Sequence, residues 1–169
     1  KDYADTEAKM NFSVNFIKSS KTLLVFVLAI FFVSHPANAS VEHKMFNSRI
    51  VSTNLCIDSL LIALIGTQNI VAVSSIADDQ RYSLITDEVR NLQKVNFNAE
   101  AIHALKPTLV LASNFSSPKT RLALSKLGVE VKLVNYARSI KDVEDNLIYL
   151  GELLGVPTKA AQIIETIKQ

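Results

Sequence analysis

Arg49-Ile-Val-Ser-Thr53, Asn54-Leu-Cys-Ile-Asp-Ser-Leu-Leu-Ile-Ala-Leu-Ile-Gly66, Ile70-Val-Ala-Val73, then Asn98-Ala-Glu-Ala-Ile-His-Ala-Leu-Lys-Pro107 and Thr108-Leu-Val-Leu-Ala112: this run decides the fold. It reads as strand, helix, strand, long loop, short helix, strand. Alternation of strands and helices predicts a parallel sheet with helices on its faces. Ile57, Leu60, Leu61, Leu64 and Ile65 fall on one helical stripe. Asn54 suits the N-cap and Gly66 the position just past the helix end. Ile70 to Val73 is too short and too apolar for a half-exposed strand, so it reads as buried on both sides.

Outward from this run, residues 74 to 97 form a long polar connection without clear periodicity, a length that suggests a functional loop or short helical turns. Asn98 caps a short helix that Pro107 closes, with Glu100 in its first turn, where a negative charge suits the helix dipole. Leu109 to Leu111 is the third strand. Ser117 and Pro118 start a helix in which Leu122, Leu124 and Leu127 supply apolar bulk, and Gly128 ends it. Val129 to Val134 is the fourth strand. Ser139 and Asp142 form a weak capping box. That helix runs through Val143, Leu147, Leu150 and Leu154, and Pro157 opens a last one with Ala160, Ile163, Ile164 and Ile167 on one face.

The Asn98 to Ala112 segment resembles the Asn-x-Glu-x-Ile-x-x-Leu-Lys-Pro-Asp-Leu-Val signature of ABC-importer substrate-binding proteins of the helical-backbone type, with Thr108 where Asp is usual. Arg49-Ile-Val-Ser and Ile70-Val-Ala-Val-Ser74 carry the same resemblance, which extends from about Arg49 onward. That family serves vitamin B12, ferric siderophores and haem. The resemblance implies a Rossmann-like parallel sheet with helices on both faces, as the N-terminal lobe of a two-lobed protein. It implies that residues 40–157 are that lobe and 158–169 the truncated start of an interlobe helix, so that the chain is a fragment. It also implies a metal-chelate ligand, an inner-membrane permease as partner, and a permease-docking role for Glu100. A monomer with no resident cofactor is expected.

The N-terminal region reads differently. Met10 to Lys18 with Lys21 is a basic stretch, residues 22–33 are a 12-residue apolar core, and Ala37-Asn-Ala39 is an A-x-A cleavage site. This is the pattern of a secretory signal peptide; a membrane span needs about 20 apolar residues. Residues 1–9 then read as an upstream extension. Residues 1–39 carry four Lys and three acidic residues, leaving 14 basic against 13 acidic side chains from Ser40 onward. With that balance and no basic patch, nucleic acid is not expected as a partner. Cys56 is the only cysteine and lies far beyond the cleavage site, so a soluble periplasmic protein is expected rather than a lipoprotein.

In a doubly wound sheet, ligands bind beyond the carboxyl ends of the strands. The expected ligand residues there are Asn54, Ser74, Tyr82, Asn114, Phe115 and Tyr136, with Thr53, Arg81 and Arg138 nearby. These are neutral hydrogen-bonding groups, rings and two arginines, suited to a polar small molecule or a chelate. Asn54 is also explained by capping alone, and the loop Asn and Ser residues by turn chemistry. Cys56 sits in a helix's first turn but has no base near it in sequence, so it is expected to be a small buried residue beneath the cleft. Two scattered histidines, His43 and His103, make no protein metal site. Nucleotide and hydrolase motifs are missing, so the protein is read as a non-enzyme. A secreted α/β enzyme and a single-lobe interaction module are the alternatives. Lys94 and Ser113 flank the signature where tryptophans could stack on a corrin ring, which favours iron chelates over B12.

Overall fold

The computed structural model describes residues 48–169. The expected extension, signal peptide and His43 lie outside the described residues. Five strands, β1 (Ile50–Ser52), β2 (Ile70–Ser74), β3 (Gln93–Val95), β4 (Leu109–Ser113) and β5 (Val131–Val134), form one sheet in the order β3-β2-β1-β4-β5. Every neighbouring pair is parallel. The helices are α1 (Leu55–Ile65), α2 (Ala99–Ala104), α3 (Pro118–Lys126), α4 (Ile140–Leu153) and α5 (Pro157–Ile167). Among the described residues no helix is long and apolar enough to cross a membrane.

Strand alternation sorts the side chains into two layers. Ile50, Val73, Leu111 and Val134 pack with Ile57, Leu61 and Leu64 of α1, Leu147 and Leu150 of α4, and Ala160 and Ile164 of α5. Val51, Ala72, Val95 and Val110 pack on the other face with Ile102 of α2 and Leu124 of α3. Each fully buried aliphatic side chain contributes about 1.5–3 kcal/mol. The register between β1 and β2 slips between Ile50 and Val51, so Val71 and Ala72 both lean into the second layer.

The helix ends follow the local chemistry. Asn54 accepts from the amides of Cys56 and Ile57, Asn98 from Ala101, and Ser117 from Thr120. The Ser139–Asp142 capping box is complete in both directions. α2 ends without glycine: Lys106 takes a left-handed φ of 50°. The Arg49 guanidinium donates to the carbonyls of Leu105 and Lys106, at 2.7 and 3.0 Å, and so caps this end from the residue just before β1.

Two expectations change, and one further feature is new. The long connection contains a third strand of its own, β3, which pairs with β2 at the sheet edge. Its three residues, Gln-Lys-Val, carry no strand pattern that could have announced it. Of the three leucines expected to give this helix its apolar bulk only Leu124 is buried; Leu122 is exposed because a helix lying on a sheet covers one stripe, and Leu127, just past the end of α3, is exposed too. Gly151 lies inside α4, where a Cβ would meet the Ala160 Cβ at 2.6 Å, so this glycine lets α4 and α5 approach closely.

Candidate functional site

The order β3-β2-β1-β4-β5 places the topological switch between β1 and β4. From β1 the chain leaves to α1 on one face, and from β4 it leaves to α3 on the other. The two connections diverge and open a crevice at the carboxyl edge of the sheet. Thr53 bridges its floor, its amide and hydroxyl both donating to the Leu111 carbonyl at 3.2 Å.

A cavity of about 360 Å³ opens at this edge, between the start of α1 and the β5–α4 connection. Asn54, Cys56, Ser113, Asn135, Tyr136 and Asn146 supply its polar wall, and Leu60 and Val143 part of its apolar wall. Asn146 is buried and donates to the Asn135 carbonyl at 2.8 Å, which holds the backbone that presents Tyr136. Phe115 and Tyr136 stand edge to face, with centroids 5.7 Å apart and planes at 72°. Both rings are largely exposed, at 74% and 53%. Two exposed rings beside a cavity offer a ligand apolar faces on which to stack. The Arg121 guanidinium, from α3, donates to the carbonyl and hydroxyl of Ser116 and steadies the loop that carries Phe115.

The expected ligand residues divide into groups. Asn54 and Tyr136 share the cavity, and Phe115 contacts Tyr136. Asn114 is exposed on the same β4 loop, its amide donating to the Val134 carbonyl. Tyr82 stands in the β2–β3 loop, 64% exposed, with the Arg81 guanidinium 5.3 Å above its ring. Arg81 is itself held by Asp79, whose carboxyl the guanidinium hydrogen bonds bring down to about 2. Ser74 ends β2 at the same edge of the sheet, but its donors are engaged. It is 4% exposed, and its amide and hydroxyl both donate to Asp58, so neither donor is directed at the rim. Glu100 is exposed in the first turn of α2.

Cys56 is a correction: it is exposed and lines the cavity, rather than buried beneath it. The helix turns Ile57 and Asp58 inward at this point and leaves position 56 on the open side. His103 lies on α2, against the opposite face of the sheet from α1, so it offers Cys56 no base. Among the described residues, no group of three His, Cys, Asp or Glu could hold a metal ion.

The sequence reading missed Asp58. It is fully buried, and it joins the first turn of α1 to the carboxyl end of β2 through the Ser74 amide (3.1 Å) and hydroxyl. Burial pushes its carboxyl above the ordinary value of 3.8, while hydrogen bonds from Ser52 and Ser74 act against that rise. A signal was present: position 58 lies three residues before Leu61 on the stripe that contains Ile57, Leu61 and Leu64, where a carboxylate needs an internal partner.

Comparison with known proteins fits this geometry. A protein of Bacillus subtilis (strain 168), described as an uncharacterised ABC transporter substrate-binding lipoprotein, is 36% identical over 87 residues, covering 48% of this chain and 28% of its own length. A structure of a possible iron-binding (periplasmic solute-binding) protein from Staphylococcus epidermidis ATCC 12228 superposes with a TM-score of 0.62 at 26% identity, over 72% of this chain and 47% of that one. A periplasmic haem-binding protein from Pseudomonas aeruginosa gives the same TM-score at 24% identity, over 72% of this chain and 43% of that one, and shares the fold. The chain therefore spans less than half the length of these relatives. The family model described as periplasmic binding protein matches residues 50–169, almost everything the structure describes, and the chain belongs to the periplasmic binding protein family.

Proposed function

We propose that this chain supplies the N-terminal lobe of a periplasmic substrate-binding protein, which captures a metal chelate and delivers it to an ABC-importer permease. The observation that carries the reading is the Phe115–Tyr136 ring pair beside the Asn54-lined cavity at the switch-point crevice. Rings, amides and hydroxyls can hold a chelate by stacking and hydrogen bonding. The metal would arrive with its coordination filled by the chelator, as cargo. The similarity to the Bacillus subtilis substrate-binding lipoprotein and to the possible iron-binding protein of Staphylococcus epidermidis supports importer function and an iron-related ligand. The proposed ligand contacts are Asn54, Tyr82, Asn114, Phe115 and Tyr136. Residues 40–157 form the lobe and 158–169 open a helix toward a second one. The A-x-A site after the apolar core supports export to the periplasm. No covalent chemistry is needed for this role.

The test is calorimetric titration of the full chain, and of a chain extended by any second lobe encoded downstream, against haem, cobalamin and several ferric siderophores. One-to-one binding of one of them is expected. Phe115→Ala and Tyr136→Ala should each weaken it by about two- to tenfold, since an aromatic contact contributes about 0.5–1.5 kcal/mol beyond area. Both rings are exposed, so thermal stability should hardly move. No binding across the panel by the extended chain, or binding indifferent to both substitutions, refutes the reading.

A further inference from the structure

The β2–β3 connection carries Tyr82 and the almost fully exposed Leu84 (99%) at its middle. It is built from a succession of short turns and is anchored beneath by Ala77 and Val89, both completely buried. Its two ends meet at one side chain. Lys94 lies opposite Val73 in the β2–β3 ladder, and its neighbour Val95 packs in the layer of α2 and α3. Alternation therefore turns Lys94 to the other face, which Ala77 and Val89 of the loop also cover. There its ammonium donates to the carbonyls of Val89 (2.8 Å), Leu92 (2.9 Å) and Arg90 (3.1 Å). The carboxylate of Asp78, from the opening turn of the loop, lies 3.2 Å away. The Lys94 side chain is only 20% exposed.

An ammonium has three N–H donors in a tetrahedral array, and three carbonyls and one carboxylate surround it. Hydrogen bonds from a charged donor are about twice as strong as neutral ones, more so with water largely excluded. The cage suits a compact cation. A planar guanidinium, with its donors in a flat fork, does not match it. The closing limb of the loop (residues 89–92) and its opening limb (Asp78) are thus pinned to the same nitrogen.

We propose that Lys94 is a positioning residue: its ammonium clasps both limbs of the 75–92 loop and so fixes where that loop holds Tyr82, one of the proposed ligand contacts. The consequence for ligand binding rests on the chelate-binding reading above, whereas the clasp itself does not. Without the ammonium, the carbonyls face one another with no donor between them, and the loop opens while the sheet beneath it stays closed.

The chain has no tryptophan, so a Leu84→Trp substitution gives a single reporter at a fully exposed loop position. In that background Lys94→Ala, Lys94→Met and Lys94→Arg are compared with the parent in the full chain. The readouts are nanosecond anisotropy of the reporter and tryptic cleavage after Arg81 and Arg90, with far-ultraviolet circular dichroism as the check on the fold. Lys94→Ala and Lys94→Met should raise reporter mobility and speed loop cleavage by about tenfold or more, a local opening with the fold retained. n-Propylammonium chloride should restore both readouts in Lys94→Ala, sodium chloride at the same ionic strength should not, and Lys94→Arg should behave like the open form. A folded Lys94→Met with parental mobility and cleavage overturns the proposal. So does a lack of ammonium rescue, or collapse of the whole fold in both Lys94→Ala and Lys94→Met, which would make Lys94 a plain stability residue. For a ligand identified by the panel, Lys94→Met should lose affinity in step with Tyr82→Ala. A panel that finds no ligand refutes the chelate reading and leaves the loop readouts to decide the clasp.

Discussion

Asp58 is the one fully buried carboxylate among the described residues, and its partners are neutral: the Ser74 amide and hydroxyl and the Ser52 hydroxyl. Burial raises its folded-state pKa above the unfolded value of about 3.8, so the folded protein binds this proton more tightly. Its contribution to stability is therefore greatest below pH 3.8 and declines as pH rises through the folded pKa. Asn in its place mimics the protonated acid, accepting from the Ser74 amide and donating to a hydroxyl. Urea unfolding should show Asp58→Asn gaining on the parent between pH 4 and pH 7. Asp58→Leu should lose about 1–3 kcal/mol at both pH values, because the Ser74 amide is then buried without an acceptor. A parent-minus-Asn difference that does not change with pH would remove the burial argument. Arg49, Lys94 and Arg121 make the complementary point, since each basic side chain satisfies main-chain carbonyls of the protein itself. A count of basic residues consequently says little about external partners here.

Among the elements, the α4–α5 pair depends on one missing methyl group. Gly151 faces Ala160, and the two helices also share Leu150, Leu154 and Ile164 in the core. Alanine at position 151 would improve helix propensity by about 1 kcal/mol. The added Cβ would sit 2.6 Å from another, and overpacking of this kind usually costs about 1–3 kcal/mol. The clash wins because both partners are backbone-fixed Cβ atoms. Thermal unfolding of Gly151→Ala should show a net loss of up to about 2 kcal/mol, and adding Ala160→Gly should recover much of it. A stabilised single variant would mean that α5 moves away without penalty. α1 shows the opposite arrangement, in which an end does more than stop a helix: Asn54 both caps it and forms part of the cavity wall.

For the whole molecule, the proposed capture site and the proposed docking residue lie on different surfaces, so the two roles should be separable. The ring pair lies at the crevice, whereas Glu100 is exposed on α2, which packs on the sheet face opposite α1 and α4. If Glu100 docks on a cationic permease surface, Glu100→Arg should abolish ligand-stimulated ATPase of the reconstituted importer while calorimetric affinity stays within about twofold of the parent, as expected for an exposed charge at a rim. Loss of affinity with docking intact would contradict the assignment.

The parallel α/β architecture, four of the five strands and the helix starts at Asn54, Asn98, Ser117 and Ser139 were legible in the chain itself. Each depends on residues within one or two turns of one another, where periodicity and capping act locally. The signature around Glu100 carried the family as well. The tertiary structure alone decided the rest. β3 exists because β2 offers it an edge, not because Gln-Lys-Val favours a strand. Cys56 reaches the cavity because its helix turns Ile57 and Asp58 inward. Ser74 spends its amide and hydroxyl on Asp58, 16 residues away, and Arg49 caps a helix 56 residues further on. Such pairings are set by which groups folding brings together and removes from water. A buried polar group takes whatever partner lies within reach, and that distance is not written in the sequence between them.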